Sequence, residues 1–97
     1  MAKRVLIECG DLFFRGKVQA IVIAAGAEIV REAPLDLAVL ELGKPGVDER
    51  IRDLAQQGVP VLAFGSHVDA AVLRAARALG AHAVPNSQLE TELRALL

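Results

Sequence analysis

Short apolar runs alternate along the chain with longer stretches in which apolar residues recur every three or four positions. RVLIEC at residues 4–9, LAVLEL at 37–42, VPVLAF at 59–64 and AHAV at 81–84 are near-continuous apolar runs, each stopped by glycine, proline or polar residues. Strands buried on both faces of a parallel sheet read this way. From Leu12, the residues Phe14, Val18, Ile21, Val22 and Ala25 recur at helical spacing, with Asp11 placed to cap the start and Gly26 to close the end. Asp48 is placed to cap a second helix that runs through Gln57 and closes at Gly58. Val68 to Leu79 predicts a third helix ended by Gly80, and Gln88 to Leu97 a fourth, with Leu89, Leu93 and Leu96 on one face. Residues 28–31 (EIVR) leave room for one more brief strand. Strand and helix alternate throughout, which predicts a single α/β domain over residues 1–97, its parallel sheet doubly wound by right-handed crossovers.

Composition narrows the classes of function. The 97 residues are 54% apolar, yet only three are Phe and none is Trp or Tyr, which suits a tightly packed interior better than an aromatic binding surface. Eleven basic and twelve acidic residues leave a net charge of -1. No basic surplus is present to drive nucleic-acid binding by counterion release, and no polybasic patch to hold a membrane surface. The run after Lys3-Arg4 is broken at Glu8, unlike a signal peptide, and Ala20 to Ala27 falls short of the ~20 residues that span a bilayer. A lone thiol, Cys9, fits a reducing compartment. A cytoplasmic location is therefore expected. The single Asn and the abundance of Arg, Glu and Ala have the look of a thermophile's composition.

In sheets of this kind, chemistry collects beyond the carboxyl ends of the strands. That rule gathers Glu8, Cys9 and Asp11 from the first strand, Glu41 and Lys44 from the middle one, Ser66 and His67 from the next, and Asn86 and Ser87 from the last. Asp11, Glu41 and His67 could converge on one cation, although their spacing is not a metal motif. Ser66-x-x-Asp69 and Ser87-x-x-Glu90 both precede helices, so both hydroxyls are expected to cap. Gly43-Lys44-Pro45-Gly46 lacks the spacing and the hydroxyl of a phosphate-binding loop. Cys9 reads as a small buried hydrophobe. Glu41 is either a solvated acid paired with Lys44 or a permanent stand-in for a phosphorylated aspartate.

The second of those readings comes from a resemblance. DLAVLELGKPGVD resembles the middle strand and turn of response-regulator receiver domains, in which an Asp-Leu and three apolar residues lead to the phosphoacceptor Asp and a Met-Pro-Gly-x-Asp turn. PVLAFGSH resembles the strand that follows, and AARALGAHAVPNS the Ala-x-x-x-Gly-Ala stretch before the last strand. The likeness covers roughly residues 4–27 and 35–97 and implies a flavodoxin-like strand order. Carried over residue by residue, it places Glu41 at the phosphoacceptor and Cys9 and Gly10 at the acidic pair that binds magnesium. Gly65 falls at the switch Thr or Ser, and Ser87 at the Lys that holds the phosphoryl group. Phosphotransfer needs the carboxylate, the metal and the Lys together. The expectation is a degenerate, non-catalytic, receiver-like module with no cofactor and no bound metal, which works by protein contact without phosphorylation. Family analogy puts its contact face on Val72, Arg74, Leu89, Leu93 and Leu96. The alternative is a small metal- or ligand-binding enzyme built on Asp11, Glu41 and His67.

Receivers also carry a strand and a helix between the first helix and the middle strand, where Glu28 to Asp36 is too short for both. Because a parallel crossover needs a dozen or more residues, residues 28–31 are not expected to be a parallel neighbour in the usual order. Loop, an antiparallel piece and pairing with another chain are the options left. An uncovered edge and an uncovered patch of sheet would follow, and with them a homodimer or other self-association.

Overall fold

The computed structural model describes residues 2–97. Among them, strands β1 (Arg4–Glu8), β2 (Glu28–Ile29), β3 (Leu37–Glu41), β4 (Val61–Gly65) and β5 (His82–Pro85) form one parallel sheet in the order β2-β1-β3-β4-β5. Helices α1 (Leu12–Ala24), α2 (Val47–Gln56), α3 (Ala70–Ala78) and α4 (Leu89–Leu96) cover it, with a 3₁₀ turn at Asn86–Gln88 leading into α4. This is the doubly wound fold that the alternating pattern predicts, in the flavodoxin-like strand order that the resemblance implies.

Two apolar layers hold the sheet, one on each face. Successive strand residues point to opposite sides, so Val5, Val39 and Phe64 join Val18 and Val22 of α1 and Leu89 and Leu93 of α4 in one layer. Leu6, Leu40 and Ala63 join Ile51 and Leu54 of α2 and Leu73 and Ala76 of α3 in the other. No polar or charged residue is buried among those described.

Local chemistry sets the helix limits. At the start of α1 the Asp11 carboxylate accepts the Phe14 N–H at 3.1 Å. At its end Gly26 takes φ 79°, and the Gly26 and Ala27 N–H groups donate to the Ile23 and Val22 carbonyls. That paired arrangement closes the helix and requires a left-handed residue, which glycine adopts without strain. The start of α2 differs from expectation: Gly46 occupies the cap, and Asp48 lies in the first turn with Glu49, where both charges complement the helix dipole.

The serines also depart from expectation. Asp69 donates its N–H to the Ser66 carbonyl at 3.0 Å and Val68 donates to the Ser66 hydroxyl at 3.4 Å. Residues 66–69 are therefore a turn that uses the hydroxyl locally, and α3 begins only at Ala70. Ser87 lies inside the 3₁₀ turn, whose Leu89 N–H to Asn86 carbonyl bond replaces a side-chain cap.

The region between α1 and β3 corrects a larger expectation. Residues 28–29 do pair in parallel with β1, Arg4 opposite Glu28 and Val5 opposite Ile29. Helix α1 supplies a full crossover before β2, so the short link is the one after it, residues 30–36. Ile29 and Leu37 lie level with the same residue, Val5, on its two sides. With a strand only two residues long there is nothing to climb back down, and the link need only cross β1, about 10 Å at two strand spacings. Arg4 fixes it: its Nε donates to the Pro34 carbonyl at 2.8 Å, and its N–H to the Asp36 carboxylate at 2.8 Å. Leu35 packs on the α2–α3 layer, and Leu6 beneath this region is buried. The patch left by the absent helix is thus partly filled by the link itself.

Candidate functional site

The carboxyl ends of β1 and β3 meet in a cleft of about 400 Å³ whose walls include Glu8, Cys9, Gly10, Glu41, Lys44 and Arg50. Two glycines with positive φ, Gly43 (83°) and Gly46 (78°), bend the turn that carries Lys44 back over it. Glu41 is the last residue of β3, and its side chain is 17% exposed. Its Oε1 accepts the Gly10 N–H at 2.9 Å and the Asp11 N–H at 3.1 Å, while Oε2 faces Lys44 Nζ at 4.0 Å. The carboxylate thus sits in the small anion-binding concavity formed by two successive backbone N–H groups at the start of α1.

At the mouth of the cleft Arg50 reaches from α2 and grips Glu8, with Nε at 3.1 Å from both oxygens and Nη2 at 3.1 Å from Oε2. Both partners stand partly in solvent, so the pair contributes at most about 1 kcal/mol. Cys9 is buried below, its Sγ 3.7 Å from Glu41 Oε1. Burial first, and then the Glu41 charge, push the thiol from its ordinary 9.0 up to about 11. It is a protonated packing group at neutral pH, the opposite of an activated thiolate.

The fold brings together only part of the set the sequence suggests. Asp11, Glu41 and Lys44 share the cleft region, but the Asp11 carboxylate is engaged with its own helix and Glu41 with backbone. Ser66 and His67 follow β4, and Ser87 follows β5, on the far side of β3 from β1. Among the described residues no three His, Cys, Asp or Glu side chains are grouped so as to hold a metal ion. The Asp11, Glu41 and His67 cation site therefore does not form, and the enzyme reading built on it has no support. His82 pairs instead with Glu92 at 2.9 Å, away from the cleft.

The expected contact face is corrected as well. Leu89 and Leu93 are core residues, 1% and 0% exposed, because the leucine stripe of α4 packs inward beside α1. Leu96 is half-buried against the same layer, and only Val72 and Arg74 of the five are exposed. Sequence reasoning also missed the grip of Glu41 on two amides and the Glu8–Arg50 pair. Backbone donors leave no mark in a sequence, and Arg50 is unremarkable on the polar side of an amphipathic pattern.

No family model and no curated protein matches the chain. Solved structures do. The chemotaxis protein CheY4 of Vibrio cholerae superposes with a TM-score of 0.77 at 17% identity over 100% of both chains. NtrX of Brucella abortus gives 0.78 at 17% identity, covering 96% of this chain and 25% of that one. The signal receiver domain of a response regulator from Bermanella marisrubri gives 0.72 at 19% identity, over 99% of this chain and 98% of that one. The class is thereby defined as an α/β domain with the fold of the CheY-like receivers. At such identities it is the fold that is shared, and the resemblance read from the turn after β3 holds at that level. No helix among the described residues is long and apolar enough to cross a membrane.

Proposed function

We propose that the chain is a receiver-like signalling module that neither catalyses a reaction nor responds to phosphorylation, and that acts through contact with other protein chains, a second copy of itself included. One observation carries this reading. Glu41, at the position where the resemblance puts the phosphoacceptor, is held by the Gly10 and Asp11 amides and is only 17% exposed. Two N–H groups on one oxygen draw charge from the carboxylate and hold it in place, which lowers its nucleophilicity. The surroundings agree: Cys9 and Gly10 offer no acidic pair for magnesium, Gly65 no hydroxyl and Ser87 no ammonium. Glu41 supplies the negative charge of this site permanently, as part of the fold. The lone protonated thiol suits a cytoplasmic setting.

The test is direct. Incubation with a small acyl-phosphate donor and magnesium leaves the intact mass unchanged, and in a ¹⁵N-labelled sample the Gly10 and Asp11 amide signals do not move on adding magnesium. A stable acyl phosphate on Glu41 overturns the reading.

A further inference from the structure

Helix α1 is apolar on two sides. Val18, Ile21 and Val22 face the sheet. On the opposite side Leu12, Gly16, Ala20 and Ile23 follow one another at intervals of four and three, flanked by Phe13 and Ala24, and all of them are exposed. Leu12, Phe13 and Ile23 are 71%, 66% and 65% exposed, three of the six large apolar side chains that stand in solvent among the described residues. Within this arc no side chain is charged. Arg15, Lys17 and Gln19 lie between the two stripes, and a second, exposed apolar stripe of this kind marks a contact surface.

We propose that this face is covered by the α1 helix of a second copy of the chain, packed antiparallel about a two-fold axis near the middle of the helix. The distribution of side-chain size argues for a second copy and for this direction. Gly16 and Ala20 lie at the middle, and the bulky groups lie at the ends, Leu12 and Phe13 at one and Ile23 at the other. An antiparallel copy sets small against small at the crossing, so the backbones approach closely, and each bulky end meets the other kind of end. Such a surface is self-complementary, as a two-fold interface requires.

A groove of about 520 Å³ continues the face toward α4, lined by Ala20, Ile21, Ala24, Ala25 and Leu97 with Arg94 at its border. It opens beside the Ile23 end of α1, where the antiparallel copy brings its Phe13. The charges bordering the face are compatible with self-contact. Lys17 and Arg94 share the single Glu90 carboxylate within the chain, at 2.6 Å and 3.4 Å. The flank keeps one net positive charge per copy, a modest, salt-screened repulsion that adds to the weakness of the contact.

Size sets the strength. A helix of 13 residues is about 20 Å long, and with the flank of α4 the face buries on the order of 500 Å² per copy, below the ~800 Å² of a lasting interface. The dimer is accordingly weak and concentration-dependent, with a dissociation constant in the micromolar range or above.

Sedimentation equilibrium over about 5 to 500 µM tests this on the whole chain. The average mass is expected to climb from 10.3 kDa toward twice that value. Ile23→Glu, at an exposed position that leaves the fold intact by circular dichroism, is expected to weaken association at least about tenfold. Ile29→Glu, on the sheet edge, leaves it unchanged. The direction is tested by Ile23→Lys and Leu12→Glu: each alone is monomeric, and an equimolar mixture associates again, because the antiparallel arrangement sets the introduced ammonium of one chain against the introduced carboxylate of the other. A wild-type chain that stays monomeric throughout overturns the proposal. So do a dimer that survives Ile23→Glu, one lost with Ile29→Glu, and a mixture that fails to recover. None of these results bears on whether Glu41 accepts phosphate.

Discussion

Helices α1 and α2 both follow a strand that ends in the Glu41 cleft, and both bury a stripe of two or three aliphatic side chains against the sheet. Beyond that they differ at each level. The start of α1 is locked by two carboxylates, Asp11 on the Phe14 N–H and Glu41 on the amides just before the helix. The start of α2 has a glycine cap and only the favourable charges of Asp48 and Glu49. The outer face of α2 is polar, with Asp48, Glu49, Arg52, Asp53 and Gln56 in solvent, whereas that of α1 is apolar. What the sheet demands of its helices is one apolar stripe. The second stripe of α1 and its double lock have no counterpart in α2, so neither is needed merely to build the fold.

The comparison breaks if the inner stripes are not equivalent. Leu54→Ala in α2 and Val22→Ala in α1 each delete a fully buried side chain. Leu54→Ala is expected to cost about 2–5 kcal/mol, and the smaller Val22 truncation somewhat less, in urea-unfolding free energy. A much larger loss from α1 would mean that it carries the fold and α2 does not. Next in size, Glu41→Ala is expected to destabilise by about 1–2 kcal/mol, since the freed Gly10 and Asp11 amides lie near solvent and recover part of the lost bonding from water. Glu41→Gln, which keeps an acceptor oxygen, recovers part of that loss. The smallest contrast concerns the helix starts: Asp11→Ala costs about 1 kcal/mol, and Asp48→Ala about 0.3–1 kcal/mol with a dependence on salt that the Asp11 cap lacks. Equal values and equal salt dependence would erase the distinction.

Much of this architecture is legible in the chain, for identifiable reasons. The four long strands announce themselves because a strand covered on both faces must be apolar at each position, and the Asp11 and Gly26 signals frame α1 because capping is a local affair. The pairing of residues 28–29 is not legible. It depends on how far the chain must travel between two strands, which only the registers of β2 and β3 against Val5 define. The outer stripe of α1 escaped for a different reason. Phe14, Val18, Ile21 and Val22 already satisfy the helical period, and Leu12, Gly16, Ala20 and Ile23 share that period on the opposite side. Family analogy puts Leu89 and Leu93 on the surface, although their spacing alone marks the inward stripe of a short helix. At the cleft the sequence names Glu41 and Lys44 but not what they touch, because the decisive partners of Glu41 are main-chain groups.

The brevity of the link between β2 and β3 also bears on how the chain folds. Pairing β1 with β3 is the one strand contact in this sheet that must skip over another strand in the sequence. With only residues 30–36 added beyond α1 and β2, Arg4 meets Asp36 across 32 positions. Closing a loop costs about 0.6 kcal/mol more for each doubling of its length, and rates of folding fall as contacts become more distant along the chain. The β1–β3 pair remains the most distant in sequence, Val5 to Leu37, yet the short link holds its excess over the β1–β2 pair to 8 positions (32 against 24), which keeps the closure at the middle of the sheet from lagging far behind the rest.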